Sequence, residues 1–191
     1  MPLRAFDEPA LLDIQRAMTK NTLLWPIHTS GVTPKINFDG LVTYAPSFGG
    51  ADAYVQLFRD GCIEAVNANI LLMGRDEKFL YSQYEALVES ALRKYLSFLE
   101  GEGFEPPIFI ALSLVNANGY RVPVGDQMGE FQPSRGVIDR SVLLIPETRV
   151  DAFAANYYGE LKDSFDRVWQ ACGWIGSLNY EGGEWIRKAG V

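Results

Sequence analysis

The stretch from Leu80 to Leu114 constrains the fold of this chain more than any other part of the sequence. Its apolar residues first recur at spacings of three and four, which predicts an amphipathic helix with one broad buried face. This face contains Leu80, Tyr84, Leu87, Ala91, Tyr95 and Phe98. Gly101 and Gly103 suit a helix end, and Pro106-Pro107 forbids continuation because proline lacks the backbone donor. The sequence therefore predicts one long helix over about residues 79–100.

Charged residues are expected on the opposite side of this helix. Glu85 and Glu89 precede Arg93 and Lys94 by four or more positions, an order that suits ion pairing and the helix dipole. We therefore expect these four side chains to be solvated.

The remaining elements predict the fold class. The apolar run from Ile108 to Leu114 predicts a strand covered on both faces in the centre of a sheet. Turns at Asp39-Gly40 and Arg59-Asp60-Gly61 predict an antiparallel meander before the long helix. A second helical face precedes Gly173 and contains Leu161, Phe165, Val168 and Trp169. Together these elements predict an α+β fold with a largely antiparallel sheet, on which the long helix and a C-terminal helix pack.

Length and composition suggest a single domain with a substantial core. The chain has 191 residues, of which 48% are hydrophobic. We expect residues 1–48 to form an N-terminal helix and the first strands of the same domain whose main α+β body is residues 49–191. Asp7 is a candidate N-cap for that first helix, which should end near Lys20.

Charge and cysteine content exclude several classes of protein. The formal net charge of −7 at pH 7 argues against a broad electrostatic grip on nucleic acid, since phosphate binding depends on clustered Lys and Arg. Cys62 and Cys172 lack ligand-like spacing and predict buried thiols in a reducing compartment. The N-terminal residues show no basic-then-apolar pattern of a signal segment, and no apolar run approaches the ~20 residues that span a bilayer. We therefore expect a cytoplasmic protein with no membrane association.

Motifs that carry known chemistry are missing from the sequence. It contains no phosphate-binding GxxxxGK[ST], no GxGxxG that opens a helix, no GxSxG, no HExxH and no cysteine-histidine cluster with zinc spacing. We therefore predict no catalytic residue, no metal site and no cofactor. An enzyme of unrecognised type, such as a metal-dependent hydrolase or nuclease, stays as the alternative, with Glu64 or Asp166 acting beside Arg59.

Two polar-aromatic groups of residues are candidates for a ligand pocket. Arg59 lies at the tip of a predicted hairpin, and Glu64 lies on the strand that follows. Asp166 lies among apolar helix residues, close in sequence to an aromatic tail. The predicted pocket is aromatic-walled with acidic groups and contains Arg59, Glu64, Asp166, Trp169, Asn179 and Trp185. Turn chemistry and core packing are the structural explanations for the same residues.

A local nucleic-acid site is a further alternative. Residues 124–136 contain three glycines and few aliphatic residues, which predicts a long loop. Arg121, Arg135 and Arg140 lie on or beside this loop and could contact phosphate groups.

Three segments carry a family resemblance. They are Tyr54–Val66, Pro107–Leu114 with Gly119-Tyr120, and Phe165–Gly173 with Ser177 and Trp185. Across roughly residues 50 to 187, the chain resembles the C-terminal region of bacterial proteins with a Schlafen-related, AlbA-like ATP/DNA-binding domain. In that family the AlbA-like domain precedes this region, and only about fifty residues precede Tyr54 here, so its ATP or DNA activity does not transfer. The resemblance implies an accessory or sensor module in a bacterial stress or phage-defence system.

The sequence thus favours a non-enzymatic accessory, sensor or protein-interaction module. The reasons are an extensive predicted core, the missing catalytic motifs and the aromatic tail. We expect a partner protein, with a homodimer as a further possibility if the aromatic residues of the tail are exposed.

Overall fold

Three helices and thirteen mostly antiparallel strands make up the described part of the chain in the computed structural model. The described residues are 12–20, 23–47, 50–75, 77–124 and 136–186. The predicted α+β class is confirmed. The chain divides into two compact units, Met1–Ala68 with Lys94–Phe104, and Asn69–Arg93 with Glu105–Val191.

A four-stranded antiparallel meander forms the body of the first unit. Its strands follow one another in the order β1 (Thr33–Ile36), β2 (Gly40–Ser47), β3 (Gly50–Phe58) and β4 (Ile63–Asn67). The predicted turns at Asp39-Gly40 and Arg59-Asp60-Gly61 connect β1 to β2 and β3 to β4. Gly61 has a φ of +91°, and a Cβ there would lie 2.2 Å from Cζ of Phe104, so this turn requires glycine.

Helix α1 (Ile14–Thr19) also belongs to the first unit. Its N-cap is Asp13, whose side chain accepts a hydrogen bond from the backbone N–H of Arg16, and its C-cap is Lys20, near which the helix was expected to end. The N-cap predicted at Asp7 lies outside the described residues. Leu24, Leu41, Val55, Leu57 and Phe98 are among the fully buried side chains of this unit.

The predicted long helix is confirmed as α2 (Tyr84–Gly101). It begins later than expected because Lys78–Leu80 forms strand β6, which pairs with β5 (Leu71–Met73). Beyond its last turn, the backbone N–H of Phe104 donates to the carbonyl of Leu99, and Gly103 has a φ of +87°. The helix is shared, since its residues up to Arg93 belong to the second unit and those from Lys94 belong to the first.

The second unit combines short strands with helix α3 (Tyr158–Ala171), which ends before Gly173. Strand β6 pairs with β5 antiparallel and with β9 (Tyr120–Arg121) parallel. After α3 the chain forms a small hairpin of β12 (Tyr180–Glu181) and β13 (Glu184–Trp185). Leu161, Phe165, Val168 and Trp169 of α3 are fully buried, so the predicted apolar face of this helix is confirmed.

A two-stranded antiparallel ribbon completes the second unit. One of its two chain segments contains β7 (Ile108–Ile110) and β8 (Ser113–Val115), and the other contains β10 (Val142–Leu144) and β11 (Thr148–Val150). Strand β7 pairs with β11, and β8 pairs with β10. The prediction of a central strand covered on both faces at 108–114 was wrong. Alternate residues from Phe109 to Val115 are exposed, because among the described residues this segment pairs on one edge only and has one uncovered face.

The ribbon contains a β-bulge. The backbone N–H of Ile145 donates to the carbonyl of Leu112 at 3.1 Å, whereas Thr148 stands opposite Ile110. Pro146 and Glu147 therefore face the single residue Ala111. Proline is tolerated here because a bulge residue has no ladder hydrogen bond to donate.

Candidate functional site

A buried carboxylate, Glu85, is the polar centre of the second unit. Only 1% of this residue is exposed, and donors converge on it from distant parts of the chain. Trp169 Nε1 and Ser177 Oγ each donate to its Oε1 at 2.7 Å, and Asn179 Nδ2 donates to its Oε2 at 2.8 Å. Burial of a carboxylate is tolerated only when it is well hydrogen-bonded, so these contacts form one interdependent cluster. We call Glu85, Trp169, Ser177 and Asn179 the Glu85 cluster.

Tyr84 adds a further donor to this cluster, with its hydroxyl 3.2 Å from Oε1 of Glu85. Burial, together with the adjacent Glu85 charge, raises the pKa of Tyr84 well above its ordinary value. The hydroxyl therefore stays protonated and can donate. Its ring also meets that of Phe165 edge to face, with centroids 5.9 Å apart.

Asp166 positions the segment that contains Ser177 and Asn179 of the Glu85 cluster. Its Oδ1 accepts the backbone N–H of Ser177 at 2.7 Å, and its Oδ2 accepts from Lys162 Nζ. A Cβ on Gly176 would lie 2.7 Å from Oδ1, so only glycine permits this approach. Asp166 was predicted to be a ligand-binding residue. In the structure its carboxylate binds the backbone of Ser177 and the side chain of Lys162.

The six residues of the predicted pocket lie in both units. Trp169 and Asn179 meet at Glu85, and both are buried. Trp185 stacks on Tyr158, with ring centroids 4.0 Å apart. Arg59 and Glu64 belong to the first unit, where Arg59 Nε donates to the carbonyl of Phe38 at 3.0 Å and Glu64 accepts from the hydroxyl of Tyr54 at 2.6 Å.

The expectation that Glu85 and Glu89 are solvated was wrong, since both are buried. Glu89 Oε1 accepts the backbone N–H of Tyr157 at 3.3 Å. The sequence contains a pattern that indicates this burial, because Glu85, Glu89, Leu92 and Leu96 follow one another at spacings of four, three and four. The two acidic residues therefore lie on the apolar side of α2.

The arginines proposed for nucleic acid have acidic neighbours. Arg121 Nη2 lies 3.3 Å from Oε1 of Glu77, and Arg140 Nε lies 2.9 Å from Oδ1 of Asp139. The hydrogen bond from Arg140 lowers the pKa of Asp139, so this carboxylate stays charged. These pairs reduce the local positive charge that phosphate binding needs. Arg135 lies outside the described residues.

Other predicted chemistry concerns thiols, metals and membranes. Cys172 is buried as expected, but Cys62 is exposed, because it follows the turn at Gly61 and precedes β4. In the part of the chain that the structure describes, no three His, Cys, Asp or Glu side chains are placed to hold a metal ion. Among these same residues, none of the helices has the length and apolar character needed to cross a membrane.

An exposed apolar surface lies on the ribbon. Phe109 is 58% exposed, Val115 57%, Val142 43% and Leu144 76%. Val142 stands directly opposite Val115, Leu144 stands opposite Ser113, and Phe109 lies on the same side because side chains alternate along the segment 108–115. We call these four residues the ribbon face. Clusters of exposed apolar side chains on one surface are typical of interaction sites.

No protein-family model, curated protein or solved structure is significantly similar to this chain. The described residues thus define an α+β protein with a buried polar cluster, the Glu85 cluster, and an exposed apolar surface, the ribbon face.

Proposed function

We propose that this chain is a non-enzymatic protein-interaction module whose ribbon face binds a partner protein. The observation that carries this proposal is the exposure of four apolar side chains on one face of a two-stranded ribbon. Water contact with such a surface is unfavourable by about 25 cal/mol per Å² of apolar area. A partner that covers the face recovers this free energy.

Phe109 and Leu144 are the expected anchors of this interaction. They are the bulkiest exposed side chains of the ribbon face, and they lie on different strands of the ribbon, Phe109 on β7 and Leu144 on β10. A few large apolar or aromatic side chains usually supply most of the binding free energy of an interface. Val115 and Val142, which face each other across the ribbon, would extend the contact.

The Glu85 cluster supports a structural role for the remaining predicted site residues. Trp169 is fully buried, and its indole N–H is already satisfied by Glu85. A ligand at this position would have to displace protein donors from a buried carboxylate, which is costly. This arrangement suits a fixed scaffold for a binding surface better than a catalytic centre.

The segments that resemble Schlafen-related bacterial proteins support an accessory role. We infer that the module works beside a separate partner in the bacterial cytoplasm, in a stress or phage-defence system. A second copy of the chain is the alternative occupant of the ribbon face.

The proposal is tested with charge substitutions on the ribbon face. Proteins retained by the immobilised chain from a lysate of its host would be identified, purified and titrated calorimetrically against wild-type chain, Phe109→Asp and Leu144→Asp. Each substitution is expected to weaken binding about 10-fold or more, because a charge would be buried at the interface. Analytical ultracentrifugation of the same variants tests the homodimer.

The matched control is Ile175→Asp, since Ile175 is equally apolar and 93% exposed but lies outside the ribbon. Ile175→Asp should bind the partner like the wild type, and all three variants should keep the wild-type melting temperature. A purified partner that binds Phe109→Asp and Leu144→Asp with unchanged affinity would refute the role of the ribbon face. Metal-dependent turnover by the pure protein, lost on substitution of one carboxylate, would refute the non-enzymatic assignment.

A further inference from the structure

The two edge strands of the four-stranded meander, β1 and β4, differ in how well they are protected against further pairing. Within the described residues each has one neighbour, since β1 pairs with β2 and β4 pairs with β3. Edge strands of soluble proteins are usually blocked by proline, by lysine or by a bulge. Strand β1 contains Pro34 and Lys35, whereas β4 contains neither residue type and pairs with β3 without a register shift.

The outer edge of β4 presents backbone groups that its pairing with β3 does not use. At the turn between the two strands, the backbone N–H of Phe58 donates to the carbonyl of Cys62 at 2.8 Å. Hydrogen-bonded pairs alternate along an antiparallel ladder, so Glu64 faces β3 next, while the N–H and C=O of Ile63 and Ala65 point away from β3. Within the described residues, none of these four groups has a hydrogen-bond partner. Every residue of β4 is at least partly exposed, so the edge is accessible.

The opposite edge of the sheet lacks a donor at the corresponding place. The backbone N–H of Asn37 donates to the carbonyl of Gly40 at 3.0 Å, so by the same alternation Pro34, which stands opposite Thr43, faces outward on β1. Proline has no N–H and cannot donate to a further strand. The meander can therefore be extended at β4 and is blocked at β1.

We infer that the outer edge of β4 binds an extended peptide segment of a partner protein, in which β-branched apolar residues alternate with basic ones. The segment would add a further strand to the meander. An extended chain is the occupant that fits, because its N–H and C=O groups repeat at the spacing of those of Ile63 and Ala65. This site lies in the first unit and is independent of partner binding by the ribbon face.

The two faces of the sheet determine which side chains this segment needs. Val55 and Leu57, which stand opposite Ala65 and Ile63, are fully buried, so the added side chains on that face should be apolar. The other face carries the exposed carboxylate of Glu64. A basic residue beside it would form a cross-strand charge pair, and the net charge of −7 also favours a cationic segment.

Calorimetric titration of the full chain with capped peptides tests the inference. The parent probe is Thr-Val-Lys-Val-Lys-Val-Thr, which we expect to bind. The analogue with glutamate in place of lysine should bind about 5-fold more weakly or less, because like charges would then lie beside each other at Glu64. N-methylation of all valines, or of both lysines, blocks one edge of the peptide, and only one of these two probes should lose binding, since an added strand pairs through one edge. Failure of the parent to bind at millimolar concentrations, undiminished binding of the glutamate analogue, or equal effects of the two methylations would overturn it.

Ala65→Pro locates the binding on this edge. The substitution removes an outward N–H without removing a hydrogen bond to β3, and proline is tolerated at such edge positions, so the variant should fold, which circular dichroism would check. It should bind the parent peptide about 10-fold more weakly, because a backbone hydrogen bond is lost and the ring obstructs the added strand. Ala65→Val, which is close to proline in size and keeps the N–H, is the control and should bind like the wild type.

Wild-type affinity of Ala65→Pro for the parent peptide would place the binding elsewhere and refute the assignment. The methylated probes, which use the wild-type chain, decide the question should Ala65→Pro fail to fold. Analytical ultracentrifugation tests whether β4 pairs with a second copy instead. A wild-type dimer that Ala65→Pro converts to a monomer would assign the edge to self-association and would likewise overturn the inference.

Discussion

At the scale of single residues, Glu85 determines how the C-terminal part of the second unit is held. Its carboxylate lies on the first turn of α2 and accepts hydrogen bonds from α3 and from the segment after it. A buried acceptor with several donors favours one arrangement of these segments, because each donor would be left unsatisfied without it. One side chain therefore connects α2 to α3 and to the segment after α3, across 84 to 94 residues of sequence.

Glu85→Gln tests this role. The amide would keep one acceptor oxygen but would present an N–H₂ group toward a donor such as Asn179 Nδ2 or Trp169 Nε1. We expect the variant to lose about 1–3 kcal/mol of unfolding free energy, the usual cost of an unsatisfied buried polar group. Urea denaturation measures this loss.

Glu100→Gln is the control, since it makes the same chemical change at an exposed position of the same helix. It should unfold at the wild-type urea concentration. Identical midpoints for the two variants would show that the Glu85 cluster does not contribute to stability.

At the scale of elements, helix α1 is tied to the residues just beyond α2 by one carboxylate. Arg16 and Lys20 both reach Glu102, with Lys20 Nζ 2.7 Å from Oε1, and the Glu102 side chain is 0% exposed. Burial by itself would raise the pKa of Glu102, but the hydrogen bonds from Lys20 and Arg16 outweigh it and lower this pKa. A six-residue helix is too short to be stable alone, so these contacts matter for α1.

The lowered pKa of Glu102 predicts a pH dependence. A carboxylate whose pKa is lower in the folded state stabilises that state at neutral pH. This stabilisation is lost as the pH falls below the ordinary value of 4.5 and through the lowered folded-state pKa. Glu102→Gln should therefore be less stable than the wild type at neutral pH and equally stable in acid. Urea unfolding over a pH series measures the difference, and a difference that is the same at every pH would contradict this explanation.

At the scale of the whole molecule, α2 is the only described helix whose residues belong to both compact units. The residues before Lys94 include the buried Tyr84 and Glu85 of the second unit. Those after it include the buried Leu96 and Phe98 of the first. The stability of both units therefore depends on the same continuous hydrogen-bonded helix.

Lys94→Pro tests this dependence. Lys94 is exposed, so the substitution changes the backbone more than the packing, and proline inside a helix costs about 3 kcal/mol or more. We expect amide hydrogen exchange to accelerate in strands β2 and β3 of the first unit and in helix α3 of the second. Lys94→Ala, which preserves the helix, should leave exchange slow in both, and acceleration confined to one unit would show that the units are stabilised separately.

Local features of the fold were predictable from the sequence. Hydrophobic periodicity predicted the apolar face of α3. The backbone conformations open to glycine and proline predicted where α2 ends and where the chain turns, at Asp39-Gly40 and at Arg59-Asp60-Gly61. These are properties of residues close together in the chain. The order of such elements was sufficient to predict an α+β protein with mostly antiparallel strands.

The tertiary structure decided which surfaces are covered and which side chains meet. Apolar content suggested a strand at 108–114 with both faces buried, but the number of neighbouring strands depends on distant segments, and the structure leaves Phe109 and Val115 exposed. Glu85 looked solvated, yet it binds Asn179, which is 94 residues away. Local propensity acts through neighbours in sequence, whereas burial, pairing and the choice of hydrogen-bond partners depend on contacts that exist only after the chain has folded.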